Sequence, residues 1–193
     1  MNRPFVTVVS GLPRSGTSMI MRMLAAGGMP VLADDVRAAD ADNPLGYFEY
    51  EPVKRTAHDA GWVSEARSKA VKVIYALLPE LPPAYEYRVI IMHREAREVV
   101  ASQAAMFRRL GRSGSDLSEE RLAAVFTREL ARTEEWVRTQ PHFATLTVEF
   151  RSCLERPTDA ATEVGDFLGG GLDIAAMARA VDESLYRQRL VGS

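Results

Sequence analysis

A buried strand, a glycine loop and a helix follow one another at the start of the chain, and this unit constrains the fold most. Residues 5–10 are apolar and rich in β-branched side chains, and they lead into the spacing Gly11-x-x-x-x-Gly16. Apolar side chains then recur at helical spacing over residues 20–27, so the loop opens a helix. Glycines adopt the dihedrals that turn successive N–H groups towards an anion, and the helix start adds the positive end of its dipole. The unit predicts an anion-binding loop; a strand–turn–helix corner with chance glycines is the simpler alternative.

Short apolar segments alternate with helical patterns along the rest of the chain. Residues 30–32 are a short apolar piece, the predicted strands are 69–75, 88–94 and 144–150, and the predicted helices cover about 51–60, 95–110, 118–140, 157–168 and 173–181. Continuous apolar strands of this kind are typical of a parallel sheet covered on both faces. We therefore predict an α/β fold with a three-layer, P-loop NTPase-like architecture, in which helices flank a central parallel sheet as one domain over residues 1–193. The glycine loop then lies at the carboxyl ends of the strands, where such sheets bind ligands.

Composition narrows the class of protein. The chain has 193 residues, of which 47% are hydrophobic and 26% are charged, as in a globular protein. A net charge of −2 gives no support for a nucleic-acid or membrane partner. The first apolar stretch is too short for a signal peptide, and no apolar run approaches the roughly 18 residues of a membrane span. With a single cysteine, Cys153, we expect a cytoplasmic protein.

The glycine loop lacks the lysine that follows the second glycine in ATP-binding loops of this spacing. Thr17 and Ser18 stand there instead, and Arg14 is the one cation inside the loop. An arginine is a planar cation suited to phosphate or sulfate oxygens. No predicted strand ends clearly in the aspartate that holds magnesium in ATP enzymes, and Glu149 is only a weak candidate. A donor whose transferred group carries less charge than a phosphoryl needs no such metal, and a sulfuryl group meets that requirement.

The segment "GLPRSGTSMIMRML" resembles the 5′-phosphosulfate loop of sulfotransferases that use 3′-phosphoadenylyl sulfate (PAPS). Its Pro-Arg-Ser-Gly-Thr-Ser core is similar to that of the tyrosylprotein and many bacterial members. The resemblance implies PAPS as the donor, the 3′,5′-bisphosphate PAP as the product, no required metal, and a role for Arg14 in stabilising developing charge. It also implies that the 5′-phosphosulfate is held by Gly11, Pro13, Arg14, Ser15, Gly16, Thr17 and Ser18.

A second motif tests this resemblance independently. The family has an arginine at a strand end and a serine eight residues later in the next helix, and the two bind the 3′-phosphate that distinguishes PAPS from ATP. Arg94 and Ser102 in "MHREAREVVASQ" have that spacing and context. Taken singly, they are more typical of a surface charge and a helix serine. Arg97, between them, is predicted to be a solvated helix residue.

The resemblance implies a carboxylate base and leaves its identity open. Tyrosylprotein sulfotransferases place Gly-Glu-Glu after the first helix, with the second glutamate as base, and Ala33-Asp34-Asp35 corresponds to it here. Asp35 therefore takes the position of the base, unless the segment only caps a turn. Glu49 and Glu51 are the substitutes, because "NPLGYFEYEP" resembles a loop near the acceptor site of bacterial members. Three aromatic residues of this loop either pack an acceptor or cover the core: Tyr47, Phe48 and Tyr50.

Lys72 is the group predicted to assist the leaving nucleotide. "VKVIYALLPELP" resembles the Lys-x-His strand end of cytosolic sulfotransferases, although Ile74 occupies the position of their histidine base. Lys72 then stabilises the bridging oxygen of the departing nucleotide; the alternative is a lysine at the edge of a buried strand. Residues 186–189 are a candidate to close over the 3′-phosphate. Three isolated residues without metal-ligand spacing are predicted to be structural or surface residues: His58, His93 and Cys153.

The sequence thus predicts an enzyme that transfers a sulfuryl group from PAPS to a hydroxyl or an amine. The acceptor is open between a small molecule, a peptide and a glycan, and the oligomeric state is equally open. An ATP-dependent small-molecule kinase and a catalytically inactive nucleotide-binding domain are the alternatives. We expect no nucleic-acid partner and no membrane partner.

Overall fold

Five parallel strands form the centre of the fold. The computed structural model describes residues 4–34, 36–37, 40, 43, 46–111 and 115–185. The strands are β1 (Val6–Gly11), β2 (Val31–Leu32), β3 (Ala70–Lys72), β4 (Tyr87–His93) and β5 (Phe143–Glu149). They lie in the order β2-β3-β1-β4-β5, and all four neighbouring pairs are parallel. The predicted α/β fold with a central parallel sheet is confirmed.

Helices cover both faces of this sheet. The α-helices are α1 (Thr17–Ala26), α2 (Ala96–Arg109), α3 (Glu119–Arg138), α4 (Phe150–Glu155), α5 (Pro157–Phe167) and α6 (Ile174–Arg179), and the 3-10 helices are Glu51–Arg55, Gly61–Ser64, Tyr75–Glu80 and Glu183–Leu185. The start of α3 is capped as its sequence predicts, because the Ser118 hydroxyl accepts a hydrogen bond from the Arg121 N–H. No helix in the described part of the chain is long and apolar enough to cross a membrane.

Several elements differ from the sequence predictions. The helix predicted over residues 51–60 is a single 3-10 helix, Glu51–Arg55, with one buried side chain, Val53, so it lacks the apolar stripe of a longer α-helix. The strand predicted over residues 69–75 ends at Lys72, and a 3-10 helix with Pro79 inside it follows. Residues 31 and 32 form a strand that was not predicted. Two residues are too few to show periodicity, and they are a strand only because they pair with residues 70 and 71 of β3.

Two apolar cores explain why the strand segments are continuously hydrophobic. The first core lies on the α3 side of the sheet and includes Val8 and Val89. The second core includes Val9 and Ile90 and packs against α1, α4, α5 and α6. Every residue of β1 is buried, because β1 is the central strand and is covered on both faces. That residues 1–193 form one domain stays a prediction.

Strand register brings the predicted functional segments to one edge of the sheet. Gly11 at the end of β1 is paired with Met92 near the end of β4, and Lys72 at the end of β3 is paired with Val9. The glycine loop therefore leaves β1 between the strand end that carries Lys72 and the strand end that leads to Arg94. This edge is where a parallel α/β sheet forms its ligand site.

Candidate active site

The glycine loop is built on backbone conformations that require its two glycines. Gly11 has φ 145°, and a Cβ atom there would lie 2.7 Å from the Met92 carbonyl oxygen. Gly16 has φ 105°, and its Cβ would lie 2.5 Å from the Phe150 ring. Arg14 between them has φ 75°, a left-handed conformation that is strained for a side chain with a Cβ. The loop ends directly at the N-terminus of α1, so its concave side faces the positive end of a helix dipole.

The loop's side chains do not all face the same way. Residues 11–14 and 16–18 line a cavity of about 190 Å³ at the carboxyl edge of the sheet. Ser15 is fully buried behind the loop, its N–H donates to the Leu12 carbonyl oxygen, and no hydrogen-bond partner of its hydroxyl is found among the described residues. Ser15 therefore does not line the cavity, whereas Thr17 and Ser18 do.

Arg14, Arg94 and Ser102 meet on one side of the loop. Arg14 Nε donates a hydrogen bond of 3.2 Å to Ser102 Oγ, and Arg94 Nη1 donates one of 3.1 Å to the Arg14 carbonyl oxygen. Arg94 also forms a 3.0 Å ion pair with the buried Glu98 and lies 4.5 Å over the Phe150 ring. Burial lowers the pKa of Arg14, and the charge of Arg94 adds to that effect. The motif identified by its spacing is thus assembled around the loop, while its role in binding the 3′-phosphate stays a prediction.

Lys72 lies on the opposite side of the loop, against the first turn of α1. Its ammonium donates hydrogen bonds of 2.9 Å to Ser18 Oγ and 2.6 Å to the Tyr47 carbonyl oxygen. Burial lowers the pKa of Lys72 to about 8; Glu49 opposes this shift, and Arg37 and Arg14 reinforce it. Lys72 and Arg14 therefore border one cavity from two directions, while their roles in charge stabilisation stay predictions.

The predicted bases have different surroundings. Glu49 lines the cavity, and its carboxylate lies 2.6 Å from Arg37 Nη1 and 3.9 Å from Lys54 Nζ. Asp35 lies outside the described residues. Its neighbour Asp34 accepts hydrogen bonds from the N–H groups of Glu51 and Val36, so that carboxylate holds the loop onto the start of a 3-10 helix. Of the two predicted bases that the structure describes, Glu49 and Glu51, Glu49 is the one that borders the cavity.

The aromatic residues of this loop divide between the cavity and the core. The Tyr47 ring is buried, lines the cavity and lies 3.5 Å under the Arg37 guanidinium, and its hydroxyl donates to the Asp40 carboxylate. Phe48 packs against the second core, and Tyr50 lies edge-on to the Trp62 ring. Tyr47 is therefore the aromatic residue of the three that borders the cavity.

Several cavity residues were not identified from the sequence. Phe150 follows β5 at the same edge as the glycine loop, and its position at the end of a predicted strand was the signal that could have found it. Arg22 follows Ser18 by one helical turn and donates 2.8 Å to the Ala180 carbonyl oxygen. Met106 on α2 and Asp182 near the C-terminal end of the described chain also line the cavity. Their approach depends on the packing of distant segments, so no local pattern predicts it.

The isolated histidines and the cysteine lie away from the cavity. His93 Nε2 contacts Glu134 on α3 and His93 Nδ1 lies 3.6 Å from Glu149, and the hydrogen bond to Glu134 raises the pKa of His93. His58 is exposed, and Cys153 is buried in the second core. Residues 186–189 lie outside the described residues. The part of the chain that the structure describes holds no group of three or more metal-ligating side chains, and independence from metal stays a prediction.

Comparison with known proteins identifies the fold. No protein-family model matches the chain, and no curated protein matches it in sequence. A sulfotransferase domain from the Synechococcus PCC 7002 olefin synthase superimposes with a TM-score of 0.59 at 18% identity, over 100% of this chain and 82% of that one. The chain has the sulfotransferase fold.

Two further solved structures share this sulfotransferase fold. The sulfotransferase domain from the curacin biosynthetic pathway gives a TM-score of 0.57 at 14% identity, over 100% of this chain and 94% of that one. Retinol dehydratase, solved with androsterone and the inactive cofactor PAP, gives 0.52 at 16% identity, over 93% of this chain and 64% of that one. The likeness to these sulfotransferase structures is one of fold, and it covers the sheet and its helices.

Proposed function

We propose that this protein is a PAPS-dependent sulfotransferase that transfers a sulfuryl group to a hydroxyl or an amine. The observation that carries the proposal is the meeting of Arg14, Arg94 and Ser102 beside the glycine loop. A 3′-phosphate needs cations and a hydroxyl at one place next to a 5′-phosphate loop, and these residues supply that arrangement. Support also comes from the shared fold with sulfotransferase domains and with a retinol dehydratase that was solved with PAP.

The charge around the cavity favours an anionic nucleotide. Its lining includes five cationic and two anionic side chains, namely Arg14, Arg22, Arg37, Lys72 and Arg94 against Glu49 and Asp182. Such an excess of positive charge raises the local concentration of an anion that carries several phosphate or sulfate groups. The two glycines of the loop are needed for its packing against the protein, since a Cβ at Gly11 would collide with the Met92 carbonyl and one at Gly16 with the Phe150 ring. The residues present therefore fit PAPS and PAP.

Each residue then has one task. The N–H groups of the glycine loop and the α1 terminus hold the 5′ side of the nucleotide, and Arg94 and Ser102 hold its 3′-phosphate. When bound, PAPS supplies the activated sulfuryl group. Lys72 and Arg14 stabilise negative charge on the oxygen that leaves with the nucleotide. Asp35 takes the acceptor proton, with Glu49 as the substitute base.

A titration of PAP against two arginine variants tests the donor assignment. Arg94→Ala removes the cation bonded to the Arg14 carbonyl, whereas Arg97→Ala removes an exposed charge three residues later, in the first turn of α2. We expect the PAP affinity measured by calorimetry to fall at least tenfold for Arg94→Ala and less than twofold for Arg97→Ala. Equal affinities for the two variants would remove the support for the 3′-phosphate site.

The two alternatives predict other outcomes. A small-molecule kinase binds ATP with magnesium more tightly than PAP and is indifferent to Arg94→Ala. A catalytically inactive binding domain binds PAP without consuming PAPS, and Asp35→Asn changes no rate. Consumption of PAPS that falls for Asp35→Asn or for Glu49→Gln, with unchanged PAP affinity, supports the enzyme and identifies its base.

A further inference from the structure

The Ser18 hydroxyl joins the first turn of α1 to the loop that precedes Glu51. Ser18 Oγ accepts a 3.1 Å hydrogen bond from Asn43 Nδ2 and a 2.9 Å hydrogen bond from Lys72 Nζ, and it donates 3.2 Å to the Tyr47 carbonyl oxygen. A hydroxyl has one donor hydrogen and two acceptor lone pairs. All three are used, so the hydroxyl has a fixed orientation and its partners are fixed relative to one another.

Asn43 holds this arrangement from the loop side. Its side chain is buried, and the same Nδ2 amide that reaches Ser18 also donates a 2.5 Å hydrogen bond to the Gly46 carbonyl oxygen. The N–H of Asn43 in turn donates to the Asp40 carboxylate, which also accepts from the Tyr47 hydroxyl. The Asn43 amide thus bonds to Ser18 and to the peptide group just before Tyr47.

Asn43 fixes both hydrogen-bond acceptors of Lys72. It bonds directly to the Ser18 hydroxyl, and it holds Tyr47 through the carbonyl of the preceding Gly46. One acceptor is the Ser18 hydroxyl, and the other is the carbonyl of Tyr47, the residue next to Gly46. The charged groups around the ammonium are Glu49, Arg37 and Arg14, whereas its two hydrogen-bond acceptors among the described residues are the uncharged Ser18 hydroxyl and Tyr47 carbonyl. An ammonium has three donor hydrogens, and the described residues accept two of them, so Lys72 is held in place while it lines the cavity.

We propose that Asn43 is a positioning residue that holds Lys72 at the transfer site through Ser18 and the Tyr47 carbonyl. The inference rests on the proposed function, in which the Lys72 ammonium stabilises the leaving oxygen. Asparagine suits this place because its amide donates two hydrogen bonds at once, one to a hydroxyl and one to a carbonyl. Aspartate has the same shape and offers acceptors only, so it loses the hydrogen bond to the Gly46 carbonyl and can only accept from the Ser18 hydroxyl.

Competitive acetylation of the ligand-free protein tests the inference directly. The chain has three lysines, Lys54, Lys69 and Lys72. Mass spectrometry gives the extent of acetylation of each lysine as a function of pH, and the midpoint of that curve reports the pH at which the ammonium loses its proton. Lys54 and Lys69 serve as internal references for Lys72. We expect Asn43→Ala to raise the Lys72 midpoint by about one pH unit or more, because the released ammonium regains water. Asn43→Asp should raise it as well, since a carboxylate then lies near the ammonium. Gln140→Glu is the control. It adds the same charge between α3 and the start of β5, at the edge of the sheet opposite the cavity, and should leave the Lys72 midpoint unchanged.

A double-mutant cycle tests the route through Ser18. Ser18→Ala should raise the Lys72 midpoint as Asn43→Ala does, and the double variant should raise it no further, because the two residues act on Lys72 through one contact. A Lys72 midpoint that does not respond to Asn43→Ala, or two shifts that add, would overturn the inference. If the alanine variant does not fold, the uncharged Asn43→Gln, whose amide is displaced by one methylene, is read by the same criterion.

The functional consequence separates this inference from the proposed function. Consumption of PAPS with water as the acceptor should fall at least tenfold for Asn43→Ala, with the PAP affinity unchanged within twofold, because the 3′-phosphate residues are untouched. Failure of the wild-type protein to bind PAP would overturn the proposed function. An unresponsive Lys72 midpoint in a protein that binds PAP would overturn only the role of Asn43.

Discussion

Arg14 Nε donates a hydrogen bond to Ser102 Oγ across 88 positions of the chain, at 3.2 Å. This contact joins the loop after β1 to the helix after β4, and it exists because those strands are neighbours in the sheet. It places the loop cation and the helix hydroxyl close enough to act on one anion. The same contact means that a ligand at this point competes with a hydrogen bond already made.

Ser102→Ala should weaken PAP binding and leave ADP binding nearly unchanged. One hydrogen bond to a charged group contributes about 1.5–3 kcal/mol, so we expect PAP affinity to fall by roughly tenfold to a hundredfold. Calorimetric titration of both nucleotides with the wild-type and variant proteins measures the effect. An equal loss of affinity for PAP and ADP would show that Ser102 stabilises the glycine loop and does not bind the 3′-phosphate.

Gly16→Ala should destabilise the protein more than Gly28→Ala. Both glycines have positive φ, but a Cβ at Gly16 would lie 2.5 Å from the Phe150 ring, whereas a Cβ at Gly28 would meet nothing within 4 Å. The backbone conformation costs about 1–2 kcal/mol at either position, and the clash at Gly16 adds roughly 1–3 kcal/mol. Urea unfolding of the two variants gives the difference, and equal losses would argue against the contact between Gly16 and Phe150.

Lys72 should make PAPS turnover pH-dependent in the alkaline range. Burial lowers the pKa of Lys72 to about 8, so the ammonium of the free protein loses its proton as the pH rises through that value. Because kcat/KM reports the protonation of the free enzyme, kcat/KM for PAPS should fall above a pH of about 8. Lys72→Arg keeps its charge in this range and should remove the decline. A decline that persists in Lys72→Arg would assign it to another group.

His93 should stabilise the fold more at low pH than at high pH. The hydrogen bond to Glu134 raises the pKa of His93 above its ordinary value of 6.5, so the folded state binds the proton more tightly than the unfolded state. The resulting stabilisation is complete below the unfolded pKa and is lost as the pH rises through the folded pKa. Urea unfolding of His93→Gln at roughly pH 6 and pH 9 should show the larger loss at the lower pH. His58→Gln, at an exposed position, should show no such difference.

The parts of the fold that local physics determines were predictable from the sequence. The unit from β1 through the glycine loop to α1 follows from an apolar run, two glycines and helical spacing. The approach of Arg94 and Ser102 to this loop, where each bonds to Arg14, follows from their positions at a strand end and in the next helix. Strand β2 was missed because its two residues are strands only through their pairing with β3.

The contacts that complete the candidate site were not predictable in this way. Asn43 reaches Ser18 and Arg22 reaches Ala180 across 25 and 158 positions, and neither pair forms a pattern in the sequence. Phe150 was predicted as the end of a strand, but its place against Gly16 and Arg94 depends on the arrangement of β1, β4 and β5. Site residues that belong to a local motif can therefore be predicted from the sequence. Site residues that approach from distant segments cannot, because their positions depend on tertiary packing.

The most direct test of the central claim is a calorimetric titration of the wild-type protein with PAP and with ADP in the same metal-free buffer. The two nucleotides differ in whether the second phosphate is on the 3′ position or extends the 5′ chain, so they compare the site formed by Arg94 and Ser102 with an ATP-type site. We expect PAP to bind at least tenfold more tightly than ADP. Equal or weaker binding of PAP would contradict the sulfotransferase assignment.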